Sequence, residues 1–367
     1  MPISAVDSIS LAVEHTKQQL FRPFRVSQWT KLAIVGLLAG ELGSNGCNFH
    51  MPAQPGATPH GPFPGSIPGL PGVDLALLAG LISILVVTGI VLGIIFMYIS
   101  SVMRFVLFDS IVAKECSIGR SWNARQGAGW KYFLFKLLYT LFVLGGMAVL
   151  LGIPAAIAFG AGWFRAPKEH LLPLILGGVL VLFAVLFFSL LISVVFVLTK
   201  DFVIPQMALE NISAIEGWRR LWPMIEAELG GYAAYLGMKI LMAIGAGIVV
   251  GIATLILGFM IAVPTIGLSI VAVITGKSAG LTWNAYTITV AIVVGCILLA
   301  FFLYLIALIS VPVIVFFPAY SMYFFAGRYP ALRAVLYPSP ATVVPQMSGT
   351  IPPYENPPLP SSPAPAG

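Results

Sequence analysis

The sequence predicts an all-α protein, a polytopic transmembrane helical bundle of about six spans, and three observations carry that prediction. Hydrophobic residues make up 59% of the 367 and charged residues only 9%, against about 25% charged in a soluble domain. Apolar runs recur at the length of roughly 20 residues that a helix needs to cross a hydrocarbon core of about 30 Å. A short charged interval, Met103 to Lys136, returns 96 residues later as Thr199 to Tyr232. In the first copy Val106-Leu107-Phe108 leads through Lys114-Glu115 to Ser117 and Trp122; in the second Phe202-Val203-Ile204 leads through Glu210-Asn211 to Ser213 and Trp218. Apolar runs flank both copies alike, which predicts two hairpin repeats of parallel orientation, each with a charged elbow on the same side of the membrane.

Residues 1–28 read as an interfacial amphipathic helix with a basic linker. Val6, Ile9, Val13 and Leu20 recur at helical spacing with Asp7, Glu14, Lys17 and Gln18 among them, and Pro23 ends the piece. Its charges are interleaved with its apolar residues and Arg22, Arg25 and Lys31 follow it, an order unlike that of a cleavable signal. Residues 29–337 form the transmembrane domain, with spans near 29–43, 73–101, 132–160, 171–198, 232–262 and 285–317. The first is short and holds Glu41 near its end. Residues 44–72, rich in Gly and Pro and free of Lys, Arg, Asp and Glu, read as an external loop. Pro154 is placed to kink the third span. The run from residue 232 to 275 is too long for one crossing, so a break at Pro264 with a re-entrant piece beyond it is expected. Residues 338–367, with ten prolines, read as a disordered tail.

Sixteen Lys and Arg residues lie in the N-terminal segment, the two elbows and the stretch after the last span; only Arg165, Lys168 and Lys277 lie on the other side. The positive-inside bias then predicts a cell-membrane protein with both termini cytoplasmic. The net charge of +6 points to anionic lipid headgroups as partners, not to nucleic acid, because no basic face is interleaved with stacking residues.

The second elbow carries a local design. Ser213-Ala-Ile-Glu216 matches a capping box that starts a short helix, and Ile215, Trp218, Trp222, Ile225 and Leu229 follow with helical spacing, broken by Pro223. Trp122, Arg125, Trp218, Arg219, Arg220 and Trp222 are the residues placed to dock lipid headgroups or a membrane protein partner. No catalytic, cofactor-binding or metal-ligating set is predicted: His15, His50, His60 and His170 lie far apart, Cys47, Cys116 and Cys296 have no redox or metal spacing, and no nucleophile elbow or phosphate loop occurs. No span holds an ionisable group at its centre, which argues against a proton relay; Asp74, Arg104 and Lys239 are expected to snorkel to an interface. Gly245, Gly247 and Gly251 are expected to serve close helix packing. Two functions stay open: a non-catalytic scaffold, and a carrier of a lipid or apolar solute whose hollow would be lined by groups such as Ser189, Ser193, Thr254 or Tyr304.

Three stretches carry a resemblance. Phe21-Arg22-Pro23-Phe24-Arg25 with Trp29, the Phe202 to Trp218 interval with Pro205, Glu210 and Ser213, and the Pro318 to Arg328 exit together resemble an uncharacterised family of prokaryotic polytopic membrane proteins, similar to the membrane domain fused to some glycerophosphodiester phosphodiesterases. The likeness covers roughly residues 1–337. It implies a six-span topology and brings no catalytic residue, since no phosphodiesterase domain is found in these 367 residues.

Overall fold

The computed structural model describes residues 4–41, 75–164, 168–278, 280 and 285–337. The expectations for residues 44–72, for Asp74 and for the 338–367 tail fall outside them. Among the described residues helix is the only extended regular structure. In chain order the helices are α1 (Asp7–Phe21), α2 (Val26–Ala39), α3 (Leu75–Val112), α4 (Ile118–Gly160), α5 (Leu171–Leu198), one wider π-type turn (Thr199–Val203), α6 (Ile204–Glu210), α7 (Ala214–Ala227), α8 (Leu229–Ser278), α9 (Ala285–Ala326) and α10 (Pro330–Leu336).

Five of these, α3, α4, α5, α8 and α9, are long and apolar enough to cross a membrane. The expected first span falls on α2, whose 14 residues reach only about 21 Å at 1.5 Å per residue. The chain leaves α2 through Gly40, whose positive φ of 79° puts it in the left-handed conformation open to glycine. Gly36 presses against α9 so closely that a Cβ there would lie 2.6 Å from Ile314. Thus α2 is a packing element seated on α3 and α9.

The long helices overrun the predicted span limits at their elbow ends. Charge begins before the helix stops, because a helix of 43 residues measures about 64 Å, twice the hydrocarbon thickness. The true turns are brief: Ala113 to Ser117, and Asn211 to Ser213. Each contains a non-glycine residue with positive φ, Lys114 at 56° and Asn211 at 53°, and each ends on a serine at the next helix's N-cap. Ser213 accepts a hydrogen bond from the Glu216 N–H at 3.3 Å, as the capping box requires, whereas Ser117 makes no such bond. The expected break at Pro264 is absent: α8 runs unbroken for 50 residues with that proline inside it. A proline removes one backbone bond, and the rest of a long helix carries the turn.

Packing is uneven. Nearly all fully buried side chains lie toward the elbows, where Phe105, Ile111, Phe202, Ile204, Tyr235, Tyr320, Phe324 and Phe325 are almost inaccessible. Phe202 lies at the centre, with ring centroids 5.1 to 5.9 Å from Tyr232, Tyr235, Phe324 and Phe325. By contrast the most apolar stretches of the five long helices bury only 0% to 11% of their residues. A Cβ added at Gly245 or Gly251 would meet nothing within 4 Å, so these glycines do not serve the close packing expected of them.

Helix α1 forms where predicted, but only part of its expected apolar face turns inward: Leu20 is buried and Ile9 packs against the core. Ser8, Ala12, His15, Thr16, Gln19 and Leu20 are buried, while Val6 and Val13 are 61% and 51% exposed. Two of its polar side chains reach neighbouring elements: Gln19 Nε2 donates to the Ser110 carbonyl at 2.9 Å, and His15 Nε2 lies 3.0 Å from the Ile111 carbonyl. A carbonyl only accepts, so Nε2 carries the proton and Nδ1 accepts from the Tyr323 hydroxyl, 3.0 Å away.

Candidate functional site

Where α2, α3, α5, α8 and α9 meet, five charged side chains converge in the interior. Glu41 is held between two cations: Arg104 Nη1 at 3.3 Å, and Lys200 in direct contact. Arg104 also donates from Nη2 to the Ala39 carbonyl at 2.6 Å. One residue beyond Lys200, Asp201 accepts from the Tyr235 hydroxyl at 2.8 Å and pairs with Lys239. The side chains of Glu41, Arg104, Lys200 and Asp201 are at most 9% exposed, that of Lys239 14%. These residues snorkel nowhere; Arg104 and Lys239, expected to reach an interface, turn inward.

Lys200 and Asp201 lie in the π-type turn. Pro205 has no N–H to give the Asp201 carbonyl and its ring crowds that oxygen, so the turn before it widens. The Ile204 N–H reaches Thr199 instead, five residues back. Lys200 then faces Glu41 while its neighbour Asp201 faces α8. The cavity beside the network measures about 30 Å³, room for a water or two. It is lined by Glu41, Arg104, Lys200, Asp201, Pro318 and Ser321, among others.

The network sits at the elbow-side margin of the spans. Before it α5 runs for 28 residues without a charge, about 42 Å and enough to fill a hydrocarbon core. The stretches Leu75–Met103 and Ile240–Gly276 are likewise free of charge. Nearby on α4, Lys136 donates to the Ser100 hydroxyl at 3.2 Å.

The six residues expected to form a docking surface divide in the structure. Arg125 is internal: it forms two bonds to Asp109, at 2.8 and 2.7 Å, and a third to the Ala208 carbonyl, so it ties the first elbow to the second. Trp218 is half-buried and donates from Nε1 to the Thr199 hydroxyl at 2.9 Å. Trp122 is half-buried against Tyr98. Arg220 bridges Glu210 and Glu216 at the surface. Arg219 and Trp222 remain open, with Arg219 81% and Trp222 56% exposed, on the same face of α7 as Ile215 at 70%. Below them Glu228 takes both bonds of the Arg328 guanidinium, at 2.8 and 2.7 Å, which holds its carboxyl below the usual carboxylate range.

The polar groups proposed to line a carrier's hollow do not gather. Ser189 and Ser193 lie on the exposed side of α5, and the Tyr304 hydroxyl pairs with Thr30 of α2 at 3.0 Å. Among the described residues no group of three His, Cys, Asp or Glu side chains is placed to hold a metal.

Five apolar helices long enough to span, joined to a tightly packed elbow region, define a multi-pass membrane protein. More narrowly, residues 3–335 match the model of a family of unknown function, DUF7544, and the chain belongs to that family. No curated protein and no solved structure matches the chain.

Proposed function

We propose that this protein is a non-catalytic scaffold of the cell membrane, whose elbow side is a rigid platform held against the headgroup layer by α7. The observation behind this reading is the contrast between the two halves of the site. The buried charges close on one another around a cavity of only about 30 Å³, whereas Ile215, Arg219 and Trp222 stay open along one face of α7. An apolar, cationic and indole stripe on a short helix suits headgroup depth. The contacts of α1 with residues 110 and 111 place the N-terminal segment beside the first elbow. Together with the basic bias, this supports a cytoplasmic elbow side and cytoplasmic termini.

The rival reading, a carrier of a lipid or apolar solute, draws on the thin packing of the outer helix halves, which leaves them room to move apart. Reconstitution separates the two. A spin label on Ile215→Cys, read by oxygen against water-soluble nickel accessibility, is expected at headgroup depth, and labelled-lipid scrambling is expected at the rate of protein-free vesicles. A label as water-accessible as one at exposed Lys131, or lipid flux above the protein-free rate, sinks the scaffold.

A further inference from the structure

A second surface feature, at the corner between α1 and α2, lies apart from α7 and does not depend on its role. The motif Phe21-Arg22-Pro23-Phe24-Arg25 turns the chain here, and the first elbow packs beneath it. Between them is a groove of about 420 Å³, the rim of which includes Gln18, Arg22, Arg25, Gln28, Lys114 and Glu115. Three of these are cations and one is an anion. The internal partners leave charge over: Lys114 donates to the neutral Gln18 side chain at 2.8 Å, and Arg25 is 3.9 Å from Glu115, with both groups mostly exposed. Among the described residues no carboxylate forms an ion pair with Arg22. The floor is fixed, because Gln28 Nε2 donates to the Lys114 carbonyl at 2.9 Å and clamps α2 to the elbow.

Beside the cations lies an apolar rim. Phe21 and Phe24 are 53% and 57% exposed and rest on Trp29 at centroid distances of 5.8 and 5.5 Å. Exposed phenyl rings next to a rim with two more cations than anions, on a chain already anchored in the bilayer, fit a molecule that is anionic at one end and apolar at the other. We propose that this groove binds the phosphate headgroup of an anionic phospholipid, with Arg22, Arg25 and Lys114 facing the phosphate and Phe21 and Phe24 facing the upper acyl chains. A guanidinium pair offers the planar donors that phosphate oxygens accept, and apolar rings at an interfacial element suit the acyl boundary.

The test is native mass spectrometry of the full-length protein in detergent, titrated with phosphatidylglycerol or phosphatidylcholine, with thermal unfolding as a check on folding. Wild type is expected to retain phosphatidylglycerol at least 10-fold more tightly than phosphatidylcholine. R22Q/R25Q should lose most of that preference, and Glu115→Gln, which removes the one negative group of the rim, should strengthen it two- to fivefold. A gain of this kind is not produced by misfolding. Equal retention of the two lipids, an unchanged preference in R22Q/R25Q, or a weaker one in Glu115→Gln overturns the proposal. So does occupancy by inorganic phosphate with no lipid retained, which would make the groove a site for a soluble anion. Lys168→Gln, which removes an exposed cation just before the start of α5, at the end of that helix away from the elbows, serves as control and is expected to leave the preference unchanged.

Discussion

Replacing Glu41 with Gln removes a charge while keeping the side chain's shape, so its effect isolates the electrostatics of the buried network. Glu41 and Arg104 are 3.3 Å apart, which at an effective dielectric of about 20 corresponds to about 5 kcal/mol of attraction, most of it offsetting the cost of burying the two groups. Lys200 adds a second such contact. Without the carboxylate two cations face each other in the interior, and breaking a buried pair from one side typically costs about 3–5 kcal/mol. Lys200→Met removes charge from the other side and leaves Glu41 with Arg104, one against one. That variant should cost no more than about 1–2 kcal/mol, because a buried ion replaced by an apolar chain of similar volume is often tolerated. In thermal unfolding, E41Q should lower the midpoint by roughly 5–15 °C and K200M by clearly less. Both belong in one detergent at one heating rate, since irreversible unfolding makes midpoints depend on the scan. A K200M loss equal to or larger than that of E41Q refutes the charge argument, as does an E41Q midpoint within about 1 °C of wild type.

Two further predictions concern α1 and α2. Gly36→Ala drives a Cβ to 2.6 Å from Ile314 and should cost about 1–3 kcal/mol as an overpacked contact; unfolding midpoints should recover in part when Ile314→Ala is added, and no recovery would mean the damage lies elsewhere. Burial is the main cause that lowers the His15 pKa, helped by the nearby Lys114 charge, against a hydrogen bond to the Ile111 carbonyl that raises it. The folded protein therefore binds a proton less readily than the unfolded chain, whose histidine titrates near about 6.5. The stabilisation is complete above that value and is lost as pH falls toward the depressed folded pKa. Unfolding midpoints of wild type should drop more steeply below about pH 6.5 than those of His15→Gln, and parallel curves would remove His15 from the account.

The all-helical class, the apolar runs and both elbows are legible in the sequence because composition and periodicity report them directly. The capping box at Ser213 is legible from four residues, since its bonds are local. What the sequence hides depends on long-range placement. Apolar periodicity assigns the face of α1 containing Val6 and Val13 to its contacts, but those two stay exposed and burial goes to Ser8, His15 and Gln19, the last two with partners 91 to 308 residues away. Arg125 and Trp218 look like interfacial side chains, and only the approach of one elbow to the other turns them inward. Lys200 and Asp201 do not stand out in the sequence because they are adjacent; neighbours on a helix diverge by about 100°, and each meets its own partner, Glu41 and Lys239, on an element far away in the chain. One signal does exist. Arg104 and Lys200 are 96 residues apart, the same spacing that relates the two charged intervals.

That spacing also bears on how the protein is held together. Each elbow's incoming helix supplies one cation, and the two share a carboxylate that neither provides; it comes from Glu41 at the end of α2. In lipid, apolar side chains gain little by leaving a neighbouring acyl chain for one another, so spans associate through close packing and polar contacts instead of hydrophobic burial. The five long helices show little close packing in their apolar halves. Their fixed points are at the elbow ends, in the Phe202 aromatic cluster, the Arg125–Asp109 tie and the Glu41 network. Helix α2 enters beside the elbows, and the Glu41 carboxylate just past its end lies between two cations that would otherwise repel. Losing α2 should cost the assembly more than its 14 residues of surface suggest, because its removal leaves Arg104 and Lys200 buried together without the anion that both contact.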